Sequence, residues 1–214
     1  MIVYGSTLSP YVRKVMAFLA EKGLTAELKP GGMGRGGPEF AAASPFGKMP
    51  GFTDGDYGLS DSSAIVAYVE AKHPEPSLIP AEPRARGRTI WFDEFADTIV
   101  MAAGAKMFFN RFVAPKVLKR PGDTALADAA EANDLPPLLA YLETQIPPSG
   151  FLVEDRLTLA DIAVASPFAN FRHIAVAIDP ALYPRTIGYV DAILSRPSFA
   201  PLLAAETQFV QSLG

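Results

Sequence analysis

The 214-residue chain contains no cysteine. A structural disulfide, a thiolate nucleophile and a cysteine-ligated zinc site are therefore all excluded. Histidine is nearly as scarce, with only His73 and His173. No carboxylates cluster near either at a ligand spacing, so no metal is expected. No apolar run approaches the roughly 18–20 residues that cross a bilayer, and no membrane partner is expected. The opening Met1-Ile2-Val3-Tyr4-Gly5 lacks the basic and apolar regions of a secretory leader and reads as a strand, which points to a cytoplasmic location. Positive charge is not in excess either. The net charge of −4 and pI near 5.2 give no footprint for nucleic acid. Any thiol chemistry must use a thiol brought from outside.

What is present divides the chain in two. After the strand at 2–5, Ser9-Pro10 reads as a helix cap followed by proline at the first helical position. Val12, Val15, Met16 and Leu19 then recur at helical spacing, and Gly23 closes the helix. Residues 26–29 read as a second strand. Pro30 to Pro38 holds five glycines and little that packs, which predicts a flexible loop. Residues 45–59 predict a strand, a hairpin and a strand, and Ser60-Asp61-Ser62-Ser63 caps a further helix. That order, βαβ followed by ββα, is thioredoxin-like. Four prolines lie between Pro74 and Pro83, the composition of a semi-rigid linker. Beyond it strand patterns stop. Trp91, Phe95, Ile99 and Ala102 form a helical stripe, and further helices run through 135–146, from Thr158, and through 187–194. The expected fold is α/β plus all-α: residues 1–76 a thioredoxin-like mixed-sheet domain, 77–85 a linker, and 86–214 a helical bundle.

Three segments carry chemistry. At a helix N-terminus a serine hydroxyl can donate outward, and the helix adds roughly half a positive charge; both effects favour thiolate over thiol. Ser9 on its own reads first as an ordinary cap. In Lys48-Met49-Pro50 a proline within an apparent strand suggests an edge or a cis peptide, which would leave Met49's main chain free to pair with an extended peptide. An ordinary turn is the alternative. Asp61-Ser62 can hold an α-amino acid head group, or can simply cap the helix.

Together these segments resemble the cytosolic glutathione transferase superfamily, over nearly the whole chain. Pro74-Glu75-Pro76-Ser77-Leu78-Ile79-Pro80 is similar to that family's interdomain linker. Leu157-Thr158-Leu159-Ala160-Asp161-Ile162-Ala163 is similar to its helix-start signature, with Thr158 and Asp161 as a capping box. Arg196-Pro197-Ser198-Phe199 resembles a recurrent C-terminal segment. The resemblance implies that Ser9 activates the sulfur of glutathione and that Met49, before Pro50, pairs with its cysteinyl part. Asp61 and Ser62 would hold its γ-glutamyl group, and Lys48 its glycyl carboxylate, with Arg35 as a further basic contact. Asp161 would serve folding. The Ser9-Pro10-Tyr11 segment is similar to omega-type members, which carry cysteine where this chain has serine; serine there is shared with tau-type and many bacterial members.

Ser6 and Tyr4 rank behind Ser9 for the sulfur contact. Tyr11, Met101, Phe108 and Phe112 are the candidates for binding the electrophile. The expected function is conjugation of the glutathione thiolate to hydrophobic electrophiles, with glutathione as co-substrate, no metal, and a homodimer implied by the resemblance. A glutathione-dependent isomerase of the maleylacetoacetate type and a non-catalytic ligand carrier on the same fold are the alternatives.

Overall fold

The computed structural model describes residues 1–213. Its N-terminal half is a four-stranded sheet with strands β1 (Ile2–Tyr4), β2 (Glu27–Lys29), β3 (Gly51–Asp54) and β4 (Tyr57–Ser60) in the order β2-β1-β3-β4. β1 runs parallel to β2 and antiparallel to β3, which pairs antiparallel with β4. A parallel pair needs a crossover connection, and helix α1 (Pro10–Glu21) supplies it. Its Val12, Val15, Phe18 and Leu19 are buried, as are Val3 and Phe52 of the sheet and Ile65, Val66 and Val69 of α3 (Ser62–Lys72). A short helix, α2 (Gly37–Ala43), precedes β3.

The regular elements of the second half are all helices. α4 (Pro83–Glu94) runs without a break into wide turns over Phe95–Val100, then α5 (Met101–Phe108), then wide turns over Phe109–Val117. Wide turns of this π type concentrate at functional sites. α6 (Thr124–Ala129), α7 (Leu135–Gln145), α8 (Leu159–His173), α9 (Pro184–Leu194) and α10 (Ala200–Ser212) follow. α8 is buried along nearly its whole length and packs on both α1 and α4. One apolar core thus runs through both halves, from Val3 and Phe18 to Phe171 and Phe199. Arg13 and Lys14 of α1 are buried at the junction of the halves with their charges paired.

Three sequence expectations change. The glycine-rich segment is not a loop without packing. Gly31 and Gly32 are buried, and a helix begins at Gly37. Gly32 has φ 79°, and a Cβ there would come within 2.6 Å of the Met49 side chain; the absent side chain is what lets the segment lie on Met49. The buried stripe of the long helix is Phe92, Phe95, Val100, Ala103 and Met107, while Trp91 and Ile99 are 42% and 37% exposed. The wide turns change the helical phase, which a regular period cannot anticipate. Finally, α6 and α10 are helices that the apolar spacing does not announce.

Candidate active site

The first turn of α1 leaves its leading N–H groups without intrahelical partners. Ser9 occupies the cap with extended backbone, and its carbonyl accepts the Arg13 N–H at 3.0 Å. Its hydroxyl makes no cap bond and finds no partner among the described residues, so it is free to donate outward. The main chain around it is held from α8. Asn170 Nδ2 donates to the Leu8 carbonyl at 2.8 Å, and Ser166 Oγ donates to the Pro10 carbonyl at 2.8 Å. The carbonyls on either side of Ser9 are therefore both tied to one buried helix.

On one side of Ser9 opens a polar cleft of about 710 Å³, lined by Tyr11, Lys48, Met49, Asp61, Ser62 and Asp97 among others. The Met49–Pro50 peptide is cis, and the Met49 N–H and C=O find no partners among the described residues, because the β3 ladder starts at Gly51. The Asp61 backbone sits at φ 79°, outside the regions L-residues prefer. Its Oδ1 accepts from the N–H groups of Ser63 (2.9 Å) and Ala64 (3.1 Å), which fixes this conformation and caps α3. The Ser62 N–H, one residue earlier, has no hydrogen-bond partner among the described residues.

Beneath the cleft lies a buried ionic cluster. Lys14 Nζ donates to Asp93 Oδ1 at 2.7 Å and to Asp97 Oδ2 at 2.5 Å. Ser63 Oγ donates to Asp93 at 2.7 Å, and Ser62 Oγ donates to Asp97 at 3.1 Å. Burial raises the Asp97 carboxyl above the usual carboxylate range despite the opposing pull of Lys14, and Asp93 adds to the rise. The Tyr11 hydroxyl donates to the Asp97 carbonyl at 3.0 Å. Its pKa is pushed up to about 12, mostly by burial and further by Asp97 and Asp61, so Tyr11 stays protonated and engaged. Lys48 has no ion-pair partner among the described residues. The cleft thus offers Asp61, Glu94 and Asp97 for a cation and Lys48 for an anion.

On the other side of Ser9 lies an apolar cavity of about 360 Å³. Met101, Phe108, Phe109 and Phe112 from the long helix line it, with Phe209 from α10. Phe108 and Phe112 stack with ring centroids 5.0 Å apart. Ser9, Met33 and Met49 line both cavities. A group held at Ser9 therefore meets a polar peptide-sized cleft and an apolar pocket at once.

The Glutathione S-transferase N-terminal domain matches residues 3–77, and the Glutathione S-transferase C-terminal domain matches residues 109–206. The chain belongs to the glutathione S-transferase family. It is 30% identical to Glutathione S-transferase 3 of Zea mays over 213 residues, covering 95% of this chain and 93% of that protein. A glutathione S-transferase structure from Rhodospirillum rubrum superposes with a TM-score of 0.81 at 29% identity, covering 94% of this chain and 90% of that one. One from Methylobacterium radiotolerans, solved in complex with glutathione sulfonate, gives a TM-score of 0.77 at 27% identity, with 94% and 93% covered.

Within this transferase, the residues singled out from sequence separate between the two cavities. Ser9, Lys48, Met49, Asp61 and Ser62 meet at the polar cleft, and Tyr11 lies there too rather than in the apolar cavity. Pro50 is buried behind Met49. Met101, Phe108 and Phe112 line the apolar cavity, and so does Arg35, away from the polar cleft. Ser6 is exposed and lines the apolar cavity, away from the polar cleft. Tyr4 is buried against Phe40, and its hydroxyl donates to Glu39 at 3.4 Å. Sequence reasoning missed Asp97 and Asn170. Asp97 follows Asp93 by four residues on a helix, a spacing that places both acids on one face, and this was the available signal. Asn170 gave none.

Among the described residues no group of three or more His, Asp or Glu side chains is placed to hold a metal ion. No described helix is long and apolar enough to cross a membrane.

Proposed function

We propose that this transferase conjugates the glutathione thiolate to hydrophobic electrophiles, with Ser9 stabilising the thiolate. The observation that carries the reading is the position of Ser9: an unpartnered hydroxyl at a helix N-terminus, on the wall shared by a polar cleft and an apolar cavity. The cleft suits a zwitterionic tripeptide. The γ-glutamyl ammonium goes to Asp61 and Asp97, its carboxylate to the Ser62 N–H, the cysteinyl main chain to Met49, and the glycyl carboxylate to Lys48. The Ser62 hydroxyl, already donating to Asp97, acts through that carboxylate.

The sulfur then lies at Ser9. The hydroxyl and the helix terminus both favour S⁻ over SH, so the thiol proton passes to solvent before attack. Thiolate and acceptor are held together, which supplies orientation. A second copy of the chain is part of this reading: Phe46, at the rim of the cleft, is 91% exposed, and such surface favours burial in a homodimer. A cytoplasmic setting goes with it, where glutathione is kept reduced.

The test is turnover of an aromatic electrophile such as 1-chloro-2,4-dinitrobenzene by wild type and by Ser9→Ala. The variant should lose about tenfold or more in kcat, and the pKa seen in the kcat/KM profile should rise. Unchanged turnover removes Ser9 from the role. Glutathione binding without turnover in the wild type would make the protein a ligand carrier.

A further inference from the structure

The apolar cavity does not end at its aromatic wall. It adjoins a second cavity of about 320 Å³ lined by Thr7, Leu28, Lys29 and Pro30, among others. The two share Ser6, Leu8, Gly31, Arg35 and Phe209, and so form one trench. Its two ends differ in character. The first holds Met101, Phe108 and Phe112 and no acid; Arg35 is the single charged residue lining it. The second adds the Thr7 hydroxyl, which like that of the shared Ser6 finds no partner among the described residues, and Lys29.

Arg35 sits where the two ends meet. Its guanidinium makes no hydrogen bond or ion pair among the described residues, whereas nearly every other arginine near the site is committed: Arg13 to Glu206, Arg111 to Asp128 and Glu131. The one acid in the trench, Glu206, is buried with both carboxylate oxygens taken by Arg13 and His173. It cannot neutralise Arg35. Lys29 is paired with Glu39 at 3.2 Å across an exposed contact, so it adds little attraction of its own. The hairpin bearing Arg35 is closed by the Arg35 N–H donating to the Gly32 carbonyl at 2.9 Å, and Gly32 rests on Met49, one of the residues at Ser9. The cation is thereby tied to the wall that flanks the sulfur position.

We propose that the acceptor is an elongated amphipathic carboxylate: an apolar electrophile lying against Phe108 and Phe112, with its anionic head on Arg35 at the mouth of the second cavity. The inference rests on the conjugating role proposed for Ser9, and it moves Arg35 from the glutathione side to the acceptor side. For an acceptor with an activated carbon–carbon double bond, the thiolate sulfur forms a bond to the β-carbon. The π pair moves to the α-carbon and carbonyl oxygen as an enolate, which takes a proton from water. The sum is addition of S–H across the double bond, with no leaving group.

The experiment uses two acceptors, a phenyl vinyl ketone carrying a carboxymethoxy group on its ring and the methyl ester of the same molecule. The charge differs while the reacting carbon is alike, and each rate is corrected for the uncatalysed reaction. Wild type should favour the acid over the ester by about fivefold in kcat/KM, the worth of one partly exposed ion pair. Arg35→Gln should bring that ratio to about one, and Arg35→Lys should keep part of it. A wild-type ratio near or below one overturns the proposal. So does an Arg35→Gln variant whose ratio persists while its glutathione KM rises, which would return Arg35 to the tripeptide. If neither acceptor is turned over, the conjugating role fails instead. Calorimetric binding of the saturated acid and ester then reads the anion site directly, and equal affinities in wild type overturn it.

Discussion

Arg13 and Glu206 stand 193 positions apart and form a two-pronged ion pair closed off from solvent, with Nε to Oε1 at 2.9 Å and Nη2 to Oε2 at 2.8 Å. Nη1 of the same arginine donates to the Ser166 carbonyl at 2.6 Å and to Asn170 Oδ1 at 3.0 Å. One side chain thus joins α1, α8 and α10. The helix that begins at Ser9 and the helix that supplies Phe209 are fixed to the same point.

Removing one partner of such a pair leaves a buried charge unpaired, so Glu206→Gln should destabilise by about 3–5 kcal/mol. The pH dependence follows from the carboxyl. Burial pushes Glu206 up, but the hydrogen bonds from His173 and Arg13 outweigh it and leave it below its ordinary 4.5. A carboxyl depressed in the folded state contributes stability above its unfolded pKa and loses it as pH falls through the folded value. Thermal melts between pH 7 and 3 should therefore show wild type weakening below about pH 4.5, with a shallower fall in Glu206→Gln. Parallel slopes would contradict the assignment.

Asn170 is a positioning residue for Ser9. Asn170→Ala frees the Leu8 carbonyl and one Arg13 contact. It should cost about 1–3 kcal/mol in stability. Because a small misplacement of the group proposed to hold the thiolate is expensive, kcat should fall severalfold with little change in glutathione KM. The pKa in the kcat/KM profile should also move up, which a loss of folded protein would not produce. A pure drop in active fraction, with an unmoved profile, would make Asn170 structural only.

Much of this arrangement was legible in the sequence for a physical reason. Caps, prolines and the Thr158–Asp161 box act over a few residues, so Ser9-Pro10, Lys48-Met49-Pro50 and Asp61-Ser62 announce their local geometry and, taken together, a family. Asn170 and Arg13 act across 162 and 193 residues, through contacts that only packing creates. The buried stripe of the long helix departs from the regular period because wide turns shift its phase, and the glycine segment packs because its partner, Met49, is brought to it from a remote part of the sequence. The sequence shows only the charge of Arg35; its side of the wall between the cavities is a matter of tertiary structure.

Asp97 is expected to bind the glutathione ammonium, and burial holds its carboxyl above the usual range. On acidification it therefore takes up a proton before exposed carboxylates do, and its attraction for the ammonium goes with it. The glutathione KM of wild type should rise as pH falls, before exposed carboxylates are protonated. Asp97→Asn should show a raised KM already at pH 7, by about fivefold to tenfold for one charge-assisted contact, with the acid-side rise removed. A KM that climbs identically in both proteins would place the titrating group elsewhere.

Asp161 separates folding from chemistry. Its carboxylate accepts from the Leu152 N–H at 2.9 Å, the Thr158 N–H at 2.9 Å and the Tyr189 hydroxyl at 3.2 Å, so it joins the start of α8 to the preceding loop and to α9. Asp161→Asn keeps the shape but turns one acceptor oxygen into a donor facing other donors. Loss of the cap and an unsatisfied buried contact together should cost about 2–4 kcal/mol, read as a lower urea midpoint with an unchanged slope. The residues that α8 sends to Ser9, Ser166 and Asn170, lie beyond the first turn where the cap acts. At temperatures where the variant is folded, kcat and the acid-to-ester preference should therefore match wild type. A loss of turnover in fully folded Asp161→Asn would show that the first turn of α8, and not only its middle, sets the position of Ser9.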